Sequence, residues 1–419
     1  MVNSIENVSA WQALDSRGDP TVAIRITLGP GISAVALAPA GASAGGHEAP
    51  FIRDGGESFG GRSVSDHLRA ITPALREGLV GVDADDPEAV HEALQQLDGH
   101  QNWSFLGGNV GTAASVATWL AVSQARKQEP WEVISSWTKS KPELPMPMVN
   151  IISGGAHAGG SLDLQDILAI PAQARTVEEA IEAVWRVRLG TREIMNDAAY
   201  FTALVADEGG LAASFPTNAS ALKAVNDGAH RAGLEPGSAV LLGLDVAANE
   251  LRRGNGTYNF EGKQVDSSTL IATIEDWVAN ANVVSVEDPL SEDDDWSPLS
   301  NLTDQIRVVG DDRYATSVSR LEKGIEKAEA NSVLIKVNQA GSLWSALATL
   351  RRAKESGWHT IVSARSGDTE ESWLVDLAVG SGAGQIKVGS TMRSERTAKW
   401  NRMLELAHLD SLPFAELAR

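Results

Sequence analysis

The chain of 419 residues is too long for one small domain and suits two domains or one barrel with an addition. With 43% hydrophobic and 21% charged residues its composition is globular, which excludes wholesale disorder and fibrous repeats. A net charge of −20 disfavours nucleic acid and anionic lipid as partners, and the absence of cysteine excludes disulfides, thiol nucleophiles and thiolate-held metal clusters.

Residues 1–10 show no basic-plus-apolar leader, and no apolar run approaches the ~20 residues of a membrane span, so a cytoplasmic protein is expected. Residues 21–28 alternate, with Val22, Ile24, Ile26 and Leu28 on one face, and read as a half-buried strand. Residues 32–39 form a second short apolar run, followed by a Gly/Ala/Ser-rich loop at 40–46. Residues 86–97 and 111–127 carry helical spacing. The segment 128–147 holds Pro130, Pro142, Pro145 and Pro147 and reads as a linker. Beyond it, apolar runs at 239–245, 283–287, 308–311, 333–336, 360–365 and 385–389 alternate with helical stretches. Buried strands alternating with amphipathic helices predict a parallel sheet, and this many units favours closure into a β/α barrel. A doubly wound open sheet is the alternative, without a glycine-rich nucleotide fingerprint to support it. The expected division is an N-terminal α+β domain over 1–130 and a barrel over 144–419.

Most of these runs end in charge: Asp245, Glu287, Asp311, Lys336 and Arg365, with Lys387 inside the last. In a barrel these are the carboxyl ends of strands, where catalytic groups converge. Three hard oxygen ligands without His or Cys favour Mg²⁺ over zinc. The cations would then face an anionic substrate or act as base, and a lysine beside Mg²⁺ is expected to have a lowered pKa. The ensemble suits removal of a proton α to a carboxylate. The twelve tryptophans read as packing, and the acidic run 292–295 as solvated surface.

Eight further motifs, in order, resemble the enolase family. They are Leu14-Asp-Ser-Arg-Gly-Asp-Pro-Thr21, Gly41-Ala-Ser43 with Gly45, the glycine-rich stretch 148–158 ending His157-Ala158, and Val205-Ala-Asp-Glu-Gly-Gly210. The set continues with Ser285-Val-Glu-Asp-Pro289, Gly310-Asp-Asp312, Leu334-Ile-Lys-Val-Asn-Gln339 and Gly384-Gln-Ile-Lys-Val-Gly389. The resemblance implies an enolase-type barrel in which Asp245, Glu287 and Asp311 hold a first Mg²⁺ and Lys336 is the base. It further implies that Glu208, with a raised pKa, helps the β-hydroxyl leave, while Arg365 and Ser366 hold the phosphoryl group and Lys387 neutralises the substrate carboxylate. Ser43 would close over a second Mg²⁺ that arrives with substrate, His157 would lie by the substrate, and the protein would be a homodimer acting on a small phosphoryl- and carboxylate-bearing molecule.

The chain departs from the family's pattern around the substrate. Ala364 stands where the family has histidine, Gln165-Asp166 where it has Gln-Glu, and Ala40 where it has serine. Intact chemistry beside an altered pocket points to a changed substrate. The expectation is a dehydratase of the carboxyphosphonoenolpyruvate synthase type, from phosphonate antibiotic pathways. A divergent housekeeping enolase and a non-catalytic binding protein on the same scaffold are the alternatives.

Overall fold

The computed structural model describes residues 3–42 and 45–417. Strands β1 (Asn7–Leu14), β2 (Pro20–Gly29) and β3 (Ile32–Leu37) form an antiparallel sheet with β2 in the middle. Helices α1 (Ser65–Leu79), α2 (Pro87–Asp98), α3 (Gly108–Arg126) and α4 (Pro130–Thr138) follow. α3 packs across β2 and β3, and β2 is buried along most of its length; Ala23 is as hidden as Val22 and Ile24, although on its face Arg25 is exposed. α2 starts where Asp86 accepts from the backbone N–H groups of Glu88 and Ala89, with Pro87 in the first turn, and stops at Gly99 in the left-handed conformation.

The second domain is a closed eight-stranded barrel. Its strands are β4 (Met146–Ser153), β5 (Asp166–Ile170), β6 (Leu241–Asp245), β9 (Val283–Glu287), β10 (Arg307–Gly310), β11 (Ser332–Ile335), β12 (His359–Ser363) and β13 (Gln385–Lys387). A small hairpin, β7 (Tyr258–Phe260) and β8 (Lys263–Val265), is inserted after β6. Six strands coincide with the expected apolar runs. Two were not anticipated: β4 lay partly inside the proline-rich segment, and β5 was read only as a Gln-Asp pair.

Two expectations need correction. The sheet is not wholly parallel, because β5 runs antiparallel to both β4 and β6. The connection 154–165 is a tight glycine-rich loop with one short turn of helix, too short to house the crossover helix that a parallel return requires. The segment 128–147 is not a linker: it contains α4 and the start of β4. Pro130 sits at the first turn of α4, where its missing N–H costs nothing, and Glu129 and Glu132 form a reciprocal cap.

Met146, Met148, Leu168, Ile170, Leu241, Val309, Leu334 and Ile361 fill the barrel interior, so its axis is an apolar plug and polar chemistry is confined to the ends. No helix among the described residues is long and apolar enough to cross a membrane.

The two domains meet where α3 presses on the short helix Val337–Ala340, which follows β11. Gly111 permits this approach: a Cβ there would lie 2.3 Å from the Gly341 carbonyl oxygen. Gly111→Ala is therefore expected to destabilise the protein by about 1–3 kcal/mol. Urea unfolding should show a lower midpoint with an unchanged slope.

Candidate active site

The six strand-end charges come together. Asp245 and Glu287 end β6 and β9 and lie directly opposite each other in the parallel ladder. Asp311 follows β10, Lys336 follows β11, Arg365 lies two residues past β12, and Lys387 ends β13. Strand alternation turns these side chains into the barrel mouth, where Asp245, Asp311, Lys336, Arg365 and Lys387 line one pocket. The Lys387 ammonium lies 2.7 Å from both Asp245 and Glu287. Lys336 donates to Asp311, whose second oxygen accepts from the Gln339 amide at 2.8 Å. Asp288, absent from the expected set, accepts from the backbone N–H groups of Asp311 and Asp312 at 2.9 and 2.8 Å and so fixes the turn after β10.

Opposite Lys336 stands a second group. Asn150 on β4 donates to Glu208 at 2.9 Å, and Ser153 on the same strand donates to Asp166 at 2.6 Å. The other Asp166 oxygen lies 2.8 Å from His157 Nδ1, and His157 Nε2 faces Glu208 at 3.9 Å. Two glycines hold His157 in place. A Cβ on Gly154 would meet the Leu164 carbonyl at 2.4 Å, and Gly155 takes φ +44°, so this turn is fixed by backbone constraint. Asp166 is completely buried and is turned to Ser153 and His157, which makes it a brace for the imidazole.

The electrostatics of the pocket differ from two sequence expectations. Burial would raise the Glu208 pKa, but His157, Arg396, Lys387 and Lys336 outweigh it and hold Glu208 down to about 2, so it is ionised here. Burial would lower the Lys336 pKa, but the adjoining Asp311 raises it, so Lys336 is held as a cation. His157 would be neutral if burial decided; Asp166 and Glu208 instead lift it to about 9. Burial, reinforced by Asp245, pushes Glu287 well above the carboxylate range, and burial with Asp311 pushes Asp312 up to about 7.

The loop after β3 closes one side. Glu48 binds the Arg365 guanidinium at 2.8 and 3.1 Å and lies 3.2 Å from the Gln339 amide. Gly46 N–H donates to Glu292 at 3.0 Å, and His47 lies 3.4 Å from Asp293. Asp294 accepts from Arg252 and from the Tyr258 hydroxyl. Glu292 and Asp293 thus hold this loop and Asp294 is tied to the hairpin region instead, while Asp293 and Asp295 remain exposed, as the reading of the run as solvated surface expects. Ser43 lies outside the described residues. Ser366 presents its hydroxyl 3.5 Å from Arg17 and its carbonyl to Arg396. The Gln165 amide nitrogen lies 3.3 Å from Asp245. Ala364 lines the pocket between Ser363 and Arg365 and is buried.

The residues fit a hard divalent cation. Among the described residues, Glu287 Oε1 and Gln165 Oε1 are buried oxygens without hydrogen-bond partners, and the neighbouring carboxylates supply further oxygens with no soft ligand among them. Among the described residues it is Asp288, Asp311 and Asp312, and not the expected set of Asp245, Glu287 and Asp311, whose ligand atoms all lie within 4.8 Å of one another; Asp245 and Glu287 are instead bridged by the Lys387 ammonium.

Glu48, Asn150, Ser153, Asp288 and Gln339 were not singled out. Asn150, Ser153, Asp288 and Gln339 lay inside the motifs, and Glu48 only two residues past a loop glycine. Their roles depend on partners up to 317 residues away, which spacing along the chain does not reveal.

His157 gives a pH test. Its folded pKa, about 9, exceeds the ordinary 6.5, so its contribution to stability is complete below pH ~6.5 and is lost as pH rises through about 9. The melting temperature of the native protein should exceed that of His157→Gln at pH 6, and the gap should shrink by pH 9.5.

Residues 5–134 match the family model of the enolase N-terminal domain, and residues 141–410 match that of the enolase C-terminal TIM barrel domain. Members of this family typically use Mg²⁺, in keeping with the oxygen-rich donor set. The two matches cover nearly all of the chain in the order in which the sheet domain and the barrel occur, and the chain belongs to the enolase family.

Proposed function

We propose that this enolase-family lyase removes the proton α to a carboxylate and expels the β-hydroxyl from a 2-phosphoglycerate-like ester. The product is a phosphoenolpyruvate-like enol ester, and the phosphoryl group carries an additional substituent. The supporting observation is that Lys336, the Glu208–His157 pair, Arg365 and Ala364 line one pocket. A base, an acid side and an anion-binding arginine thus surround one small volume.

Asp245, Glu287 and Asp311 would hold Mg²⁺, which supplies positive charge against the dianion that forms when the α-proton leaves. Lys336 receives that proton once Asp311 no longer holds it as a cation. Lys387 neutralises the substrate carboxylate. Arg365 and Ser366 hold the phosphoryl group, for which Arg365 exchanges its contact with Glu48. The departing hydroxyl takes a proton on the Glu208 side, where His157 supplies the proton that the ionised Glu208 lacks and Asp166 keeps the imidazole aligned. Ser43 would close over a second Mg²⁺ brought by the substrate.

The pocket is narrow: its free space is about 30 Å³. Substrate therefore enters by breaking the ion pairs within it. Ala364 widens the phosphoryl side relative to the family's histidine and favours a substituted phosphoryl group, as in carboxyphosphonoenolpyruvate synthases.

With Mg²⁺, the protein should catalyse solvent exchange of the α-proton of 2-phosphoglycerate, and Lys336→Ala should reduce this by about 10³-fold or more. Retained exchange would reassign the base. Appearance of enol absorbance from 2-phosphoglycerate should be slow, and faster from the glycerate 2-ester of phosphonoformate. Turnover of 2-phosphoglycerate at ~10 s⁻¹ or above would instead mark a housekeeping enolase.

A further inference from the structure

Behind the phosphoryl side lies a second cavity of about 330 Å³, whose walls include Ala40, Glu48, Phe51, Arg53, Asn338 and Arg365. It shares Gly41 and Arg365 with the active-site pocket, so one guanidinium serves both spaces. The Glu48 carboxylate, seated on Arg365 at 2.8 and 3.1 Å, stands between them.

The cavity has polar groups that its own walls leave short of partners. Asn338 is 8% exposed, and its Oδ1 is buried with no hydrogen bond among the described residues. An unpaired buried amide is costly, and a side-chain amide can present either its oxygen or, flipped, its nitrogen. Asn338 lies two residues after Lys336, on the turn that α3 braces, so its position is tied to that of the base. Across from it, Arg53 lies over the Phe51 ring at 4.5 Å and donates to the carbonyls of Pro20 and Arg62 at 3.0 and 2.6 Å. Among the described residues no carboxylate comes within ion-pair distance of Arg53, so this fixed cation lacks a contact counter-charge. Ala40, Ala49, Pro50 and Phe51 supply apolar wall, and Asn109, the other amide, is already engaged with the Ile52 backbone.

The geometry points to this cavity as the subsite for an anionic substituent carried directly on the substrate's phosphorus, a carboxylate in its simplest form, held between Arg53 and the Asn338 amide. The inference rests on the proposed dehydration and names the group that distinguishes its substrate. Glu48 supplies the precedent within the molecule: a carboxylate already binds Arg365 at the seam of the two cavities. A substrate bearing both groups would place its phosphoryl oxygens on Arg365 and its extra carboxylate past Glu48, which is displaced as the charges exchange.

The experiment compares inorganic phosphate and phosphonoformate by calorimetric titration of the full chain with Mg²⁺. Phosphonoformate should bind at least about tenfold more tightly. Asn338→Asp, nearly isosteric and of opposite electrostatic effect, should reduce that ratio to about one while changing phosphate affinity less than about threefold. Arg53→Gln should do the same; because Arg53 also braces two carbonyls, Asn338→Asp carries the test if that variant fails to fold. Equal affinities in the native protein, or a ratio unchanged in Asn338→Asp, would overturn the subsite. α-Proton exchange of 2-phosphoglycerate, followed in the same samples, separates this failure from failure of the dehydration itself.

Discussion

Like charges crowded into a dry barrel mouth are the constraint on which the rest of this structure depends. Asp245, Glu287, Asp288 and Asp311 are buried beside one another, with Asp166 and Glu208 close by. Ionised carboxylates in such a place must find cations or take up protons. Lys336, Lys387 and Arg365 meet part of the demand, each clasping an acid, yet among the described residues Glu287 retains a buried oxygen without a partner. The site is thus stable only as a balance of charges that a divalent cation and a polyanionic substrate together would rearrange. Its acid–base properties follow from that balance: the partners that hold Lys336 cationic and Glu208 ionised are the ones that substrate and metal would redistribute.

The N-terminal domain is part of this balance and not an appendage. α3 fixes the turn carrying Val337–Ala340, and through it Gln339, which bonds Asp311. Its loop brings Glu48 onto Arg365, and Glu292 and Asp293 hold the neighbouring Gly46 and His47. The Glu48–Arg365 ion pair therefore ties the charge balance of the pocket to the contact between the domains.

Much of the barrel was legible because buried strands ending in charge recur at the spacing of β/α units, and Asp245, Glu287, Asp311, Lys336, Arg365 and Lys387 all fell at such ends. β4 escaped because its prolines resemble a linker, although Pro147 lies within a buried strand of the barrel. The reversal of β5 escaped because periodicity encodes burial and not strand direction. At the site, residue types were readable and protonation was not: the ionised Glu208 and cationic Lys336 result from neighbours on other strands. Glu48 and Asn338 escaped for the same reason, their significance lying in what faces them across the domain boundary.

The central claim, that the buried carboxylates are arranged for a divalent cation, is tested most directly by calorimetric titration of Mg²⁺ into the native protein and into Glu287→Gln. The account predicts a saturable site in the native protein, weakened at least about tenfold in the variant, which loses a ligand charge while keeping its shape. Equal Mg²⁺ affinity in the two proteins, or no saturable binding in the native one, would contradict it.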